Sequence, residues 1–282
     1  MRLVRIGAVG SEQPAVLDAD GNPRAVSQVV GDFNAEFFAS GGMQRLRGLD
    51  LDALPVLSGD LRVGAPIARP GNLVAVGLNY ADHAREAKME IPSEPVLFNK
   101  APNTVIGPFD DIYFPRGGTK VDWEVELGIV IGSTCRYLDS PEEALSCIAG
   151  FVAINDVSER AFQAERGGQW VKGKAFETSC PTGPWLLTPD DPAVPAYFDL
   201  WLDVNGVRRQ TGNTSNQIFD VGTVIHYISQ VMVLDPGDLV ITGTPPGVGM
   251  GMAEPAWLKV GDVITLGVTA LGEHRSQVIA AP

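Results

Sequence analysis

One short acidic segment limits what this chain can fold into more than any other: Asp122-Trp123-Glu124-Val125-Glu126-Leu127, in which acidic and apolar residues alternate. Successive side chains of a β-strand point to opposite faces, so this pattern predicts a strand with one packed face and one row of carboxylates. Neighbours on one face lie about 6.6 Å apart, where carboxylates repel but can still converge on one cation. The segment therefore predicts a cation site; the alternative is a solvated edge strand whose acidic residues promote solubility.

The histidine content limits the kind of cation. The chain has only three histidines, His83, His226 and His274, and no two are spaced to share a metal. A zinc or copper site built on imidazoles is therefore disfavoured, and any metal must be held by oxygen atoms. We assign His226 to helix packing and His274 to the surface.

A third carboxylate is predicted to join the acidic strand. A second apolar strand ends at Asp156, and this residue together with Glu124 and Glu126 would suit Mg²⁺ or Mn²⁺, with water and substrate as the remaining ligands. Three carboxylates and a divalent ion leave a charge of about −1. Lys174 and Arg160 would balance this charge and receive an anionic ligand.

A candidate acid–base pair lies on a predicted helix. The alanine-rich run from Asn79 to Glu90 favours a helix, with Asn79 as its N-cap, and Ile91-Pro92 ends it. On that helix His83 and Glu86 share a face. Because the helix has little apolar surface to bury, we predict a mobile helix or lid. The alternative is an ordinary surface helix with an incidental His/Glu pair.

Composition excludes several classes of protein. A net charge of −13 argues against binding to a nucleic-acid backbone. No uncharged stretch is both apolar and about 20 residues long, which argues against a membrane span. The start of the chain lacks the apolar region of a signal peptide. Three cysteines, none in a C-x-x-C motif, indicate buried thiols in a reducing cytoplasm.

The chain as a whole predicts a β-rich α+β protein. Residues 1–65 have no histidine, cysteine or polar cluster and are predicted to form a small N-terminal accessory domain, with the catalytic domain in residues 66–282. Short strands, a hairpin turn at Asn205-Gly206 and a closing strand from Val263 to Val268 dominate the second part. The glycine-rich run 243–251 lacks the Lys-Ser/Thr of a phosphate-binding loop, so we expect no nucleotide there.

Five sequence blocks between about residues 66 and 270 resemble the fumarylacetoacetate hydrolase family in order and spacing. The blocks are Gly77-x-Asn79-Tyr80-x-x-His83-x-x-Glu86, Asp122-x-Glu124-x-Glu126-Leu127, Asn155-Asp156-Val157-Ser158-x-Arg160, Trp170-x-x-Gly173-Lys174-x-Phe176 and Thr242-Gly243-Thr244-Pro245-x-Gly247-Val248. The first 65 residues resemble the family's variable N-terminal portion and carry no motif. Fumarylacetoacetase itself is longer and has a further aspartate ligand without a match here, so the chain resembles the shorter bacterial branch.

The resemblance implies a fold and a site. It implies a mixed β-roll or sandwich catalytic domain with a small N-terminal α/β domain, and a homodimer. It also implies Mg²⁺ or Mn²⁺ on Glu124, Glu126 and Asp156, and a His83/Glu86 dyad on a helix that closes over the site.

The family does not fix the reaction, because its members include hydrolases, decarboxylases, dehydratases and isomerases. In all of them the metal is expected to chelate a 2-oxo carboxylate and to stabilise an enolate. The complete dyad favours hydrolysis, in which His83, oriented by Glu86, drives water onto the C4 carbonyl of a 2,4-dioxo acid. Among hydrolytic members the resemblance favours cleavage of 2,4-didehydro-3-deoxy-L-rhamnonate to pyruvate and lactate.

Four further residues are given roles as hypotheses. Lys174 would stabilise charge near the metal and help to fix the third carboxylate. Arg160 and Gln163 would contact the distal oxygens of the substrate, although solvation of a polar loop is an alternative for both. Thr244 would contact the substrate carboxylate.

Two alternative functions remain open at this point. A metal-dependent lyase, either a dehydratase of 2-oxo-3-deoxy sugar acids or an oxaloacetate-type decarboxylase, would use the same enolate without hydrolytic water. A non-catalytic carboxylate-binding protein would use the metal only for structure. A base on a weakly packed helix argues against the second alternative, because a static scaffold does not require it.

Overall fold

A computed structural model of the chain describes residues 1–59, 61–86 and 90–282. The described strands are β1 (Arg2–Ile6), β2 (Gln13–Leu17), β3 (Pro23–Ala25), β4 (Leu73–Gly77), β5 (Val96–Asn99), β6 (Val105–Ile106), β7 (Ile112–Phe114), β8 (Val121–Asp122), β9 (Val125–Ile131), β10 (Ile148–Asn155), β11 (Ser158–Glu159), β12 (Cys180–Leu187), β13 (Asp199–Val204), β14 (Val207–Asn213), β15 (Leu239–Ile241), β16 (Val263–Val268) and β17 (Gly272–Ala280). The described α-helices are α1 (Ala35–Ala39), α2 (Gly42–Arg47), α3 (Ala81–Glu86), α4 (Pro141–Ser146), α5 (Arg160–Ala164), α6 (Val171–Lys174) and α7 (Val221–Val231).

Two sheets form the body of the molecule. The larger has ten strands, in the order β3-β2-β1-β12-β10-β9-β15-β4-β5 with β6 beside β12, and it mixes antiparallel with parallel pairs. The smaller has five strands in the order β14-β13-β16-β17-β7. Strands outnumber helices, which confirms the predicted β-rich α+β class with a mixed sheet.

Strand β9 shows how the core is arranged around the larger sheet. On one face, Val125 and Leu127 pack against the smaller sheet, and Ile129 and Ile131 pack against α4 and α7. On the other face, Val130 belongs to a cluster with α1 and α2. Because apolar residues take both faces along most of β9, polar side chains on the second face are confined to its first residues.

The acidic segment is interrupted, which differs from the single strand expected from its pattern. Trp123 and Glu124 lie between β8 and β9, and Asp122 belongs to a separate two-stranded ladder with Ser158 in β11. The apolar side chains of the segment are buried as expected. The carboxylate of Asp122 contacts Arg160 and the backbone N–H groups of Gly249 and Met250.

The expected Asn79 helix cap is also wrong. The Asn79 side chain donates hydrogen bonds to the carbonyl oxygens of Phe219 and Thr242, at 3.0 and 2.8 Å, so tertiary contacts occupy it. The helix itself is Ala81–Glu86; the expected continuation through residues 87–89 lies outside the described residues, and Glu90 is not helical.

The N-terminal residues extend the larger sheet instead of forming a separate one. Strand β1 pairs antiparallel with β12, and α1 and α2 cover the adjacent face. The domain boundary near residue 65 stays a prediction. Cys135, Cys147 and Cys180 are free and buried, as expected. In the described part of the chain, no helix has both the length and the apolar character to cross a bilayer.

His274 was expected at the surface, and this expectation is wrong. It lies in β17 and is only 2% exposed, with Nε2 2.8 Å from the carbonyl oxygen of Gly183. The apolar neighbours of β17 in the closing hairpin with β16 explain its burial. Burial lowers the pKa of His274 to about 4, although the carbonyl groups of Gly183 and Ala153 oppose this shift.

We therefore expect His274 to make stability depend on pH. Its pKa is lower in the folded than in the unfolded chain, so the contribution is complete above about pH 6.5 and is lost as the pH falls towards about 4. Between pH 7.5 and 5, this should cost about 2 kcal/mol of unfolding free energy, measured by urea denaturation. In His274→Gln this component should disappear; an equally steep pH dependence in the variant would contradict the assignment.

Candidate active site

The register of two central strands brings three carboxylates together. Strands β9 and β10 are antiparallel, with Glu126 opposite Ile154. Just beyond the ladder, the backbone N–H of Asp156 donates to the carbonyl oxygen of Glu124 at 2.8 Å. Carboxylate oxygens of Glu124, Glu126 and Asp156 consequently lie within 4.8 Å of one another, and all three residues are buried. We call these three residues the carboxylate cluster.

Two lysines contact the cluster. Lys174, at the end of α6, donates from Nζ to Glu124 Oε2 at 2.5 Å and to Asp156 Oδ2 at 2.6 Å. Lys100 Nζ lies 2.8 Å from Asp156 Oδ1. Lys100 was not among the predicted site residues. Its position directly after a short strand is ordinary for a surface lysine, so nothing in the sequence distinguishes it.

The electrostatic balance within the cluster is uneven. Burial alone would raise the pKa of Glu124, but Arg160 and Lys174 outweigh it and hold the pKa below its usual value. Burial, Asp156 and Glu124 together raise the pKa of Glu126 well above its usual value. Burial would lower the pKa of Lys174, but Asp156 and Glu124 raise it, so this ammonium stays protonated. Glu126 is therefore the carboxylate of the cluster whose negative charge its neighbours compensate least.

These residues fit a divalent metal ion. The ligand atoms are carboxylate oxygens only, which matches the preference of hard cations such as Mg²⁺ and Mn²⁺. Burial and two neighbouring carboxylates raise the pKa of Glu126. The positive charge of a bound cation would oppose this shift.

Arg160 joins the cluster to its surroundings. Its guanidinium donates to Asp122 Oδ2 at 2.9 Å, to Glu124 Oε1 at 2.6 Å and to Gln163 Oε1 at 3.1 Å. Asp122 also accepts the backbone N–H of Gly249 at 2.7 Å. The first acidic residue of the alternating segment thus holds Arg160 and a loop, and it does not face the cluster.

The His83/Glu86 pair is formed on α3. Nδ1 of His83 lies 3.0 Å from Glu86 Oε2, and Nε2 has no hydrogen-bond partner among the described residues. The backbone N–H of Gly247 donates to both oxygens of Glu86, at 3.0 and 3.2 Å. Gly247 has a φ of +102°, and a Cβ there would lie 1.9 Å from the carbonyl oxygen of Arg209, so a side chain is not tolerated. The loop therefore fixes the carboxylate that orients His83.

The glycine-rich run 243–251 has a role that the sequence did not reveal. Backbone N–H groups of Gly243, Gly247 and Gly249 donate to the carboxylates of Glu126, Glu86 and Asp122, respectively. The expectation that no nucleotide binds there stays a prediction; what the run does bind is side-chain carboxylates of this chain. The glycines allow the close approach of backbone to carboxylate.

The hydroxyl of Thr244, in the same loop, is already engaged. It donates to the carbonyl oxygen of Val125 at 2.9 Å and accepts from Gln210 Nε2 at 2.8 Å. Its backbone N–H has no acceptor among the described residues. A ligand carboxylate at Thr244 would therefore meet the backbone group more readily than the hydroxyl proton.

One cavity connects these groups. It has a volume of about 160 Å³ and is lined by all the predicted site residues except two. These two, Glu86 and Asp156, contact the lining residues His83 and Lys174, respectively. Phe98 and Trp170 contribute an apolar wall, with their rings in an edge-to-face contact at 5.3 Å. The cavity therefore has the size and the polarity for a small acid with an apolar portion.

Comparison with known proteins identifies the class. Residues 72–279 match the family model described as the C-terminal part of fumarylacetoacetate (FAA) hydrolase. A 2,4-didehydro-3-deoxy-L-rhamnonate hydrolase from Sphingomonas sp. (strain SKA58) is 50% identical over 279 residues, which covers 99% of this chain and 96% of the relative. This chain belongs to the fumarylacetoacetate hydrolase family, as the five sequence blocks indicated.

Solved structures agree with this assignment over the full chain. A fumarylacetoacetate hydrolase from psychrophilic Exiguobacterium antarcticum is 37% identical and has a TM-score of 0.89, with 100% of both chains covered. A maleylpyruvate hydrolase from Sphingobium sp. SYK-6, in complex with manganese(II) ion and pyruvate, is 26% identical and has a TM-score of 0.81, again with 100% of both chains covered. The expectation of a metal-dependent hydrolase acting on a small molecule is confirmed at the level of the family.

The geometry of the acidic segment gives a direct test of the metal ligands. In Glu126→Gln we expect Mn²⁺ affinity, measured by isothermal titration calorimetry, to fall at least about 100-fold because one of three carboxylates is lost. Asp122→Asn is the matched control: this side chain reaches the cluster only through Arg160, so its loss of affinity should be at least about 10-fold smaller than that of Glu126→Gln. Equal losses in both variants would refute this assignment.

Proposed function

We propose that this protein is a metal-dependent hydrolase that cleaves a carbon–carbon bond of a 2,4-dioxo sugar acid. The proposed substrate is 2,4-didehydro-3-deoxy-L-rhamnonate, and the products are pyruvate and lactate. The observation that carries the proposal is the placement of the His83/Glu86 pair and the carboxylate cluster around one cavity. The name of the 50% identical Sphingomonas relative supports the choice of substrate.

Within the proposal, Glu124, Glu126 and Asp156 would hold Mg²⁺ or Mn²⁺. A bound ion would supply Lewis-acid polarisation of the 2-oxo carboxylate group of the substrate. Lys174 would add a fixed positive charge beside it, because its raised pKa keeps the ammonium protonated. The manganese ion and pyruvate in the maleylpyruvate hydrolase structure support both the metal type and the pyruvate product.

The proposed proton transfers centre on His83. With Nδ1 held by Glu86, Nε2 is the nitrogen that can accept a proton from water, and the hydroxide equivalent then adds to the C4 carbonyl. When the C3–C4 bond breaks, its electron pair goes to C3 of the pyruvate fragment and C4 becomes a carboxylic acid. The imidazolium of His83 can return its proton to C3, so that one water is consumed and both products are complete.

Substrate contacts are proposed for three residues. Gln163 and the unused N–H groups of Arg160 line the cavity and can donate to distal oxygens of the substrate. The backbone N–H of Thr244 can donate to the substrate carboxylate, whereas its hydroxyl is occupied. The aromatic wall of Phe98 and Trp170 favours a non-ionic portion of the substrate, because a charge would lose hydration there.

Two properties of the whole protein belong to the same proposal. We infer a homodimer in the cytoplasm, which acts on a small molecule and binds neither nucleic acid nor membrane. The net charge of −13 argues against a nucleic-acid partner, and the free, buried thiols support the cytoplasm; the homodimer is inferred from the resemblance to the family. Size-exclusion chromatography with light scattering measures the oligomeric state directly.

Product analysis tests the reaction. Incubation of the protein and Mg²⁺ with a 2,4-dioxo acid such as acetylpyruvate should remove the enol absorbance and yield stoichiometric pyruvate. A 3-deoxy-2-oxo sugar acid and oxaloacetate serve as lyase substrates. Turnover of either lyase substrate without turnover of the dioxo acid would replace the hydrolase proposal with a lyase.

The dyad makes a separate prediction. We expect His83→Ala to lower kcat for the dioxo acid by about 10²-fold or more, since the general base is lost, while the affinity for Mn²⁺ stays within a few-fold. Steady-state kinetics and calorimetry on the same preparation measure both quantities. A wild-type rate in His83→Ala would remove the dyad from the mechanism.

A further inference from the structure

Lys100 is a buried ammonium group that the proposed chemistry does not use. Its side chain is 0% exposed, and it does not line the cavity. Taking a lysine charge out of water costs several kcal/mol unless the charge is paired and hydrogen-bonded. A lysine in such a position therefore needs partners that compensate for this cost.

The partners of Lys100 come from separate segments of the chain. Nζ donates to Ser179 Oγ at 3.0 Å, to the carbonyl oxygen of Val157 at 3.3 Å and to the carbonyl oxygen of Lys174. Ser179 Oγ itself donates to the carbonyl oxygen of Lys174 at 3.1 Å. These three acceptors use all three N–H bonds of the ammonium. Lys100 thus links the segment after β10 with the end of α6 and the start of β12.

The same ammonium forms an ion pair with the carboxylate cluster. It lies 2.8 Å from Asp156 Oδ1, but because its N–H bonds are directed at other acceptors, this oxygen accepts no well-aligned hydrogen bond among the described residues. The other oxygen, Oδ2, accepts from Lys174. Asp156 is 0% exposed, so the two ammonium groups are its compensation for the loss of water.

We propose that Lys100 is a positioning residue for the metal site, acting through Asp156 and through the backbone of Lys174. It holds Asp156 Oδ1 by charge while Lys174 holds Oδ2, so that the two ammonium groups together fix the orientation of the carboxylate. It also fixes the carbonyl of Lys174, whose side chain contacts Glu124 and Asp156. This inference rests on the proposed metal role of Asp156. Groups that orient metal ligands typically contribute about 10- to 100-fold to metal affinity.

A merely structural role makes a different prediction. If Lys100 only contributed to packing, its loss would lower the melting temperature and leave the affinity of the folded protein for Mn²⁺ unchanged. The two roles are separated by titrating Mn²⁺ into the folded, metal-free protein. Its dissociation constant changes only if Lys100 positions the site.

The test uses two variants of the full chain. Lys100→Met removes the charge and the hydrogen bonds, whereas Lys100→Gln removes the charge but keeps N–H donors for the carbonyl groups, so it protects the fold. In both we expect the dissociation constant for Mn²⁺, measured by calorimetry well below the melting temperature, to rise about 10- to 100-fold. Near-UV circular dichroism establishes that the titrated protein is folded.

Arg5 provides a matched control, because it neither lines the cavity nor contacts the carboxylate cluster. Arg5 is also a largely buried cation, with Nε 2.7 Å from Asp32 Oδ1. Arg5→Met should lower the melting temperature and leave the dissociation constant for Mn²⁺ unchanged. A second control is Asp156→Asn, in whose background Lys100→Gln should have a smaller effect on metal affinity than in the wild type, since the ion pair with Asp156 is already lost and only the contact with the Lys174 carbonyl remains.

The outcomes separate this inference from the proposed function. If the wild-type protein binds no Mn²⁺, the metal role of the cluster fails. If the wild type binds Mn²⁺ and the folded Lys100→Gln variant binds it equally well, only the positioning role of Lys100 is overturned.

Discussion

The structure of the site depends on the compensation of buried negative charge. Asp122, Glu124, Glu126 and Asp156 are all nearly inaccessible to solvent, and each would be costly to bury alone. Arg160 and two lysines neutralise part of this charge, and backbone N–H groups of the glycine-rich run neutralise more. The negative charge of Glu126 is compensated least, which makes the cluster suited to a cation. The surrounding sheets make this possible because they hold the charged groups in fixed positions.

The same loop connects the two halves of the site. Its N–H groups contact Glu126 in the carboxylate cluster and Glu86 on α3, so the orientation of His83 is coupled to the backbone that borders the carboxylate cluster. This arrangement needs residues without side chains at positions such as Gly247, where a Cβ would collide with the neighbouring strand. Electrostatic contact at close range between backbone and carboxylates thus explains a motif dominated by glycine and proline.

Membership of the family fixes the scaffold but not every detail of the chemistry. The feature that favours hydrolysis here is the combination of a histidine held by a carboxylate with a cluster suited to a metal in one cavity. The aromatic wall of Phe98 and Trp170 is the part of the cavity best placed to select among substrates, because it restricts size and disfavours charge. The fold supplies the carboxylate cluster, and the cavity wall limits which molecules can reach it.

Local pattern and motif spacing determined the elements and most of the candidate site: the alternating acidic segment, the strand that ends at Asp156, and the i, i+3 spacing of His83 and Glu86. These features depend on residues near each other in the chain, where periodicity acts directly. Only the tertiary structure decided that Asp122 turns towards Arg160, that Asn79 is bonded to Phe219 and Thr242, that His274 is buried, and that Lys100 pairs with Asp156. Each of these depends on pairing between distant segments, and the energy of a charge or amide depends on the partners that burial leaves to it.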